Sequence, residues 1–520
     1  MAAETIVECS YGRLRGREAR GVHVFRGVPY GAPPVGALRF HPPRRPARWA
    51  GVRDALAFGP AAMQNASMLG PMLGLDLGTS SEDCLYLNVW TPQPGHGRRP
   101  VLVWIHGGAF VIGSGSQALY DGAALARRGD VVVVTINYRL GALGFLRLDE
   151  LTDGRIPATG CEGLLDQVAA LEWVRDEIAA FGGDPGNVTI FGESAGSISV
   201  ATLLGTPGAH GLFHRAILQS GSANFVSPPR RATRVAEELL RELQIAPRDL
   251  GLLGEIPAAR LSDAQQSVSL RLQSQLKGLP FAPVVDGTVL PQHPFDAIRG
   301  GLSRDVPVIV GTTRDEMKLF GLLDPSARSL DDAALLRRLE RLVPGTDEHG
   351  VSRARRAIEV YRAARGSRGA SITPPELWYA IESDRVFRYP SMLLAELQRA
   401  HQPHTYAYLF TWPSPFMEGV LGACHALEIP FVFGTLTHPM IAAFSGSGPE
   451  AEWLAGRVQD AWIQFAAAGH PGHAGFGGWP AYDRDERATL VIGHESHVTA
   501  APLEAERRFW EFWDGVAHDA

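Results

Sequence analysis

Short apolar runs rich in β-branched residues recur along the chain at 101–105, 131–137, 188–191, 216–219, 306–310, 405–410 and 489–492. Each has the length of a strand and is nearly continuous in apolar side chains. That pattern belongs to strands buried on both faces, as in a mostly parallel sheet covered by helices. Between these runs the period changes. From 163 to 181, Leu164, Leu165, Val168, Leu171, Val174 and Ile178 recur at helical spacing, which predicts a helix packed on the sheet just before the 188–191 strand. The Gly-Gly-Asp-Pro-Gly run at 182–186 predicts its end. Segments 228–275 and 330–397 read as inserted helices rather than sheet. No internal repeat or low-complexity linker divides the chain, so the expectation is a single α/β domain over 1–520 with helical insertions at about those places.

Composition narrows the classes of partner. Apolar residues are 45% and charged residues 20% of the 520, which is ordinary for a folded, water-soluble chain. A formal net charge of −6 gives no electrostatic case for nucleic acid or an anionic membrane. The one basic stretch, running from Arg353 to Arg365, reads as an amphipathic helix with a solvated face. No apolar run approaches the ~20 residues that span a bilayer, and the N-terminus lacks the basic and apolar segments of a secretory leader. The four cysteines, Cys9, Cys84, Cys161 and Cys424, have none of the short spacings that bind zinc or form redox pairs. A cytoplasmic location with reduced thiols is expected, and the glycosylation-type triplets at Asn65 and Asn187 are then chance matches. His470 and His473 are separated by proline and glycine in a surface loop with no carboxylate or cysteine to complete a metal site, so no metal and no cofactor are expected.

The chemistry-bearing residues follow strands. Gly-Glu-Ser-Ala-Gly at 192–196 comes directly after the 188–191 strand and before the helix-like run 198–204, the context of the strained strand–turn–helix elbow that presents a nucleophilic serine in the α/β-hydrolase fold. Ser194 is the candidate nucleophile. Its hydroxyl needs a histidine to take its proton and an acid to orient that histidine. In this fold the chain order is serine, acid, histidine. Asp315 and Glu316 both stand just past the 306–310 strand, where α/β active sites are built. His349, His401, His404, His425, His438, His470, His473, His494 and His497 all satisfy the order, with His425 best placed in a loop of small residues after the 405–410 strand. The glycine-rich run at 106–110, after the 101–105 strand, matches the loop whose backbone N–H groups hold a developing oxyanion, and the N–H of Ala195 would add another donor.

Taken together these residues resemble the type-B carboxylesterase (carboxylesterase and cholinesterase) family, especially its bacterial p-nitrobenzyl esterase-like members. The likeness extends through Phe-Arg-Gly-Val-Pro-Tyr-Gly at 25–31, Glu-Asp-Cys-Leu-Tyr-Leu-Asn at 82–88, Asn-Tyr-Arg-Leu-Gly at 137–141, Gly-Leu-Leu-Asp-Gln at 163–167, the elbow, Leu-Gln-Ser-Gly-Ser at 218–222 and Trp-Pro-Ala-Tyr at 479–482. The resemblance implies an α/β-hydrolase fold and a serine carboxylesterase acting on a small-molecule ester through an acyl-enzyme, and neutral, fairly apolar esters are the expected substrates. It implies Glu316 rather than Asp315 as the acid, His425 as the base, Gly108, Ala109 and Ala195 as oxyanion donors, and Ser220 as a supporting residue. An amidase, carbamate hydrolase or acyltransferase could use the same triad. Non-catalytic adhesion proteins also share the fold, but they lack the serine. The family's first disulfide would join Cys84 to a cysteine where this chain has Ala62, which leaves the loop 63–81 without its covalent clamp.

That loop generates a prediction. In the resembling cholinesterases it carries a tryptophan for the choline headgroup, whereas here 63–81 contains no aromatic residue and offers Met63, Met68, Leu69, Met72, Leu73 and Leu75. Quaternary ammonium ions are recognised by aromatic faces, whereas methionine supplies an adaptable apolar surface. Butyrylcholine is therefore expected to have no advantage in kcat/KM over its uncharged isostere 3,3-dimethylbutyl butyrate. A clear preference for the choline ester would contradict this.

Overall fold

The computed structural model describes residues 4–66, 70, 78–95, 97–272, 275–276, 278–347, 349–472 and 475–511. Its frame is a 13-stranded sheet. The strands Val132–Ile136, Arg99–Ile105, Gly183–Glu193, Arg215–Gln219, Val308–Thr313, Thr405–Phe410 and Thr489–Ile492 lie side by side in that order and pair in parallel. Every strand read from the sequence is present, with ends moved by a few residues. Sequence reading missed the antiparallel flank: Glu4–Cys9, Gly12–Ala19, Val22–Pro29 and Tyr86–Thr91 at one edge, and His497–Thr499 at the other. The outer strands Glu4–Cys9 and Gly12–Ala19 alternate or mix exposed and buried residues, so they lack the continuous apolar run that marks a doubly buried strand.

Side chains alternate across the sheet. In Arg99–Ile105, Val101, Val103 and Ile105 enter one apolar core while Leu102 and Trp104 enter the core on the opposite face. The helix expected over 163–181 spans Glu162–Glu177, tightens into a 3₁₀ turn at Ile178–Phe181 and is capped by Gly182 in the left-handed region at φ 84°. The first insertion holds Pro229–Glu242 and Ala258–Leu272. The second holds Asp332–Leu342, Arg353–Ser367 and Pro374–Ser383, then a single π turn at Asp384–Arg388 leading into Tyr389–Arg399. The basic stretch is indeed a helix with one solvated face: Ala354, Ala357, Tyr361 and Ala364 are buried, and Arg356 and Arg362 pair with Glu359 and Asp332. Among the described residues no helix is long and apolar enough to cross a membrane. Cys9, Cys84, Cys161 and Cys424 are free and buried.

A buried ion pair ties the Asn-Tyr-Arg-Leu-Gly loop to the Glu162–Glu177 helix. Arg139 Nη2 donates to Asp166 Oδ1 at 2.7 Å and Nε to Oδ2 at 2.8 Å, while the Arg139 backbone N–H also donates to Oδ2 at 3.0 Å. A third guanidinium nitrogen donates to the His41 carbonyl at 2.8 Å. The two side chains are 3% and 0% exposed. Burial alone would lower the arginine's proton affinity, but Asp166 outweighs it and raises it. A buried pair is worth little against an apolar replacement, yet removing one partner strands a charge at a cost of about 3–5 kcal/mol. Asp166→Ala is therefore expected to lose ~3 kcal/mol or more of stability, read as a lowered Tm and a lowered denaturant midpoint. An unchanged midpoint would show that the pair does not carry the loop.

Candidate active site

The candidate residues converge at the C-terminal ends of the parallel strands, where an open α/β sheet leaves its crevice. Gly183–Glu193 runs directly into Ser194, which stands at φ 56°, ψ −123° before the helix Ala195–Leu204. Such a backbone costs ~1–3 kcal/mol and persists only where its surroundings impose it. Here the imposing contacts are backbone on backbone. A Cβ on Gly192 would stand 2.6 Å from Gly196 and 2.7 Å from the Ile105 carbonyl, and one on Gly196 would stand 2.0 Å from that same oxygen. The Ser194 N–H is held by the Gln219 carbonyl at 2.9 Å. Glycine at both positions is thus a steric requirement.

The run at 106–110 folds over the elbow. Gly108, at φ 109°, accepts through its carbonyl from the N–H of Val111 and of Ile112, both at 3.0 Å. Ala109 and Phe110 also take positive φ. Among the described residues no acceptor meets the N–H of Gly108 or Ala109, and the N–H of Ala195 begins a helix, where the first donors have no intrahelical partner. Gly108, Ala109, Ser194 and Ala195 line one cavity of about 1740 Å³.

Geometry separates the two acid candidates. Glu316 is fully buried, accepts from the Thr313 N–H through Oε1 at 2.8 Å, and meets His425 Nδ1 with Oε2 at 2.6 Å. Asp315 faces the other way. Its N–H donates to the Ala423 carbonyl at 2.8 Å and its Oδ2 accepts from the Ala423 N–H at 2.9 Å, so it clamps the loop that carries His425. Among the described histidines that satisfied the chain order, His425 is the one in contact with Glu316. His349, His401, His404, His470, His494 and His497 are placed elsewhere, His438 lies exposed on the cavity wall, and His473 lies outside the described residues. Ser220 is fully buried at φ 52°, its N–H on the Gly311 carbonyl at 2.8 Å, and its Oγ has no hydrogen-bond partner among the described residues. Of the methionine- and leucine-rich loop, Met68, Leu69, Met72, Leu73 and Leu75 lie outside the described residues, while Ala66, Gly70 and Gly78 line the cavity.

Several residues escaped sequence reading. His425 Nε2 stands 3.0 Å from Glu193 Oε1, at ion-pair distance but not aligned as a hydrogen bond. Bonds of a resting site commonly align only once substrate is bound. Glu428 lies nearby, its Oε1 accepting from Gln219 Nε2 at 3.2 Å, and Trp462 Nε1 donates to Gln219 Oε1 at 3.2 Å. Burial, followed by the charges of Glu193 and Glu316, pushes the Glu428 carboxyl up to about 8. Burial likewise raises Glu193, against the attraction of His425. On His425 burial acts downward, but Glu193 and Glu316 together outweigh it and hold the imidazole protonated well above the usual histidine range. Phe320 and Phe387 pack on the His425 ring with centroids 5.1 and 4.7 Å away. Phe387 belongs to the π turn of the second insertion. The position of Glu193 inside the elbow and of Glu428 three residues after His425 were the available signals.

The chain is similar to known proteins over nearly its whole length. The family model described as the carboxylesterase family matches residues 3–510. The chain is 39% identical over 505 residues to the para-nitrobenzyl esterase of Bacillus subtilis (strain 168), covering 97% of each chain. It is 37% identical to the phenmedipham hydrolase of Pseudarthrobacter oxydans, covering 97% of this chain and 98% of that one. Among solved structures, the Geobacillus stearothermophilus carboxylesterase EST55 superposes with a TM-score of 0.86 at 43% identity, over 98% of this chain and 100% of the other.

Gly196→Ala tests the contact that builds the elbow. The added carbon meets the backbone of Ile105 rather than a side chain that could turn aside, and such overpacking costs about 1–3 kcal/mol. A lowered Tm together with lost ester turnover is expected. Wild-type values for both would show that the elbow has room.

Proposed function

We propose, from the premise that the chain belongs to the carboxylesterase family and hydrolyses carboxylic esters, that it does so through a covalent acyl-enzyme on Ser194. In this reading Ser194 Oγ attacks the ester carbonyl while His425 takes its proton. Glu316 fixes the imidazole through Nδ1 and balances the charge that forms. The N–H groups of Gly108, Ala109 and Ala195 receive the oxyanion. Collapse of the tetrahedral intermediate breaks the bond to the alcohol, which leaves with the proton from His425. Water, deprotonated by His425, then adds to the acyl carbon and releases the acid and free Ser194.

The observation that carries this reading is the 2.6 Å contact of His425 with Glu316 at the strand ends that also present Ser194. For proton transfer, Nε2 has to turn from Glu193 to Ser194 Oγ. Fairly apolar esters are the proposed substrates because Phe225, Leu279, Leu319, Phe320, Phe387 and Ile429 form much of the cavity wall. A single catalytic domain is proposed, supported by the second insertion's contribution of Phe387 to the site. A cytoplasmic location is proposed on the free, buried cysteines.

Ser194→Ala and His425→Ala are each expected to lower kcat by several orders of magnitude without unfolding the chain, because the residues act as one unit. Glu316→Gln is expected to damage kcat far more than Asp315→Asn. Near-wild-type turnover in Ser194→Ala, or the reverse ranking of the two acids, would overturn the assignment. Anilides matched to 4-nitrophenyl esters separate an amidase from an esterase.

The pH profile follows from the carboxylates around His425. Only the neutral imidazole accepts the serine proton, so kcat/KM falls as pH falls through the His425 pKa of the free enzyme. Because Glu193 and Glu316 raise that pKa, the acid limb is expected above the ordinary histidine value of about 6.5. Glu193→Gln removes one of the raising charges and is expected to move the limb to lower pH. An unmoved limb would show that Glu193 does not act on His425.

A further inference from the structure

The cavity wall carries two guanidinium groups in unlike states. Arg385 is neutralised, since its Nε and Nη2 donate to Glu382 at 2.7 and 2.8 Å. Arg26 has no such partner. Among the described residues no carboxylate lies within ion-pair distance of it, and its Nε is buried without a hydrogen-bond acceptor. The charge nonetheless sits in a built place. Gly27 takes φ 67°, and a Cβ there would stand 2.7 Å from the Ala57 carbonyl and 2.9 Å from the Gly59 nitrogen. The Arg26 N–H donates to the Ala55 carbonyl at 2.8 Å. The segment 55–59 is thereby laid on the strand Val22–Pro29, and it sets the Phe58 ring 4.4 Å from the guanidinium carbon.

A ring occupies the face of a guanidinium and leaves its in-plane N–H fork open, and that fork matches a carboxylate. Asp121 is the carboxylate that acts on Arg26 through space, but its Oδ1 is held by the Ala123 N–H at 2.9 Å. An unpaired, partly desolvated cation beside an apolar ring is costly to keep unless something anionic visits it.

We propose that Arg26 and Phe58 form an anion-binding subsite of the cavity, which takes a carboxylate carried by the ester substrate at a point remote from the scissile bond. This rests on the reading that Ser194 opens esters in the same cavity. It refines the expectation of neutral substrates: an apolar body with one distal carboxylate fits the wall better than a wholly neutral ester.

Matched pairs of equal shape test it. On the alcohol side the pair is 4-carboxyphenyl butyrate and 4-carbamoylphenyl butyrate. On the acyl side it is mono-4-nitrophenyl adipate and the corresponding adipamate ester. The ratio of kcat/KM for the anionic member over its neutral partner is independent of how much of a preparation is active. In wild-type protein at low salt that ratio is expected to exceed that of Arg26→Gln by about fivefold or more in at least one pair, and to shrink as salt is added. Arg26→Lys should restore part of it. Equal ratios in wild type and Arg26→Gln for both pairs would overturn the subsite, as would a ratio insensitive to salt. Failure of the Ser194 reading looks different: neutral esters would go unhydrolysed, or turnover would survive Ser194→Ala.

Discussion

Everything at the candidate site hangs on how closely the backbone at the elbow approaches the end of the neighbouring strand. With no side chain on Gly192 or Gly196, the start of the helix Ala195–Leu204 settles against the Ile105 carbonyl. That contact imposes the strained backbone of Ser194. It also brings the run at 106–110 over the elbow, because the same carbonyl marks the end of the strand from which that run departs. A Cβ on Gly107 would stand 2.7 Å from the Glu193 carbonyl and 3.1 Å from the Ser194 Cβ. Strain at one residue is thus sustained by packing at several.

The second organising feature is electrostatic. Glu193 and Glu316 are buried against one imidazole, and Glu428 is buried close enough to feel the charge of both. Like charges in a low-dielectric site cannot all ionise at little cost, so burial raises Glu193 and Glu428 while His425 is held in its charged form. The proposed base therefore rests between Glu316 on Nδ1 and Glu193 near Nε2. On this account catalysis begins when the imidazole gives up its Nε2 proton, to Glu193 or to water, and exchanges the Glu193 contact for Ser194 Oγ, since only the neutral ring accepts the serine proton. Phe320 and Phe387 pack on the same ring, which places a residue of the second helical insertion beside the proposed base.

How much of this was legible in the sequence depended on the physical signal each part leaves. The parallel strands, buried on both faces, betray themselves as continuous apolar runs. The antiparallel edge strands do not, since in Gly12–Ala19 only Leu14 and Gly16 are buried. The elbow was readable because glycine at fixed offsets is a steric demand. Motif reasoning alone left Asp315 and Glu316 open. Family resemblance favoured Glu316, and the structure shows the physical distinction, with Asp315 clamping the loop and Glu316 meeting His425. Glu193, Glu428, Phe387 and Arg26 left no sequence signal of comparable strength, because their significance lies in what distant segments bring beside them. The matching of Ala62 to a lost cysteine is consistent with the fold: Cys84 and Ala62 line the same small cavity, and the thiol is free.

The central claim is a covalent intermediate on Ser194, and trapping it is the most direct measurement. Treatment with 4-nitrophenyl diethyl phosphate should release one equivalent of 4-nitrophenolate per chain, abolish ester turnover and add one diethylphosphoryl group to the intact mass. Peptide mapping is expected to place that group on Ser194, with no addition in Ser194→Ala. Stoichiometric labelling of another residue, or a Ser194→Ala protein that still labels and still loses activity, would contradict the account.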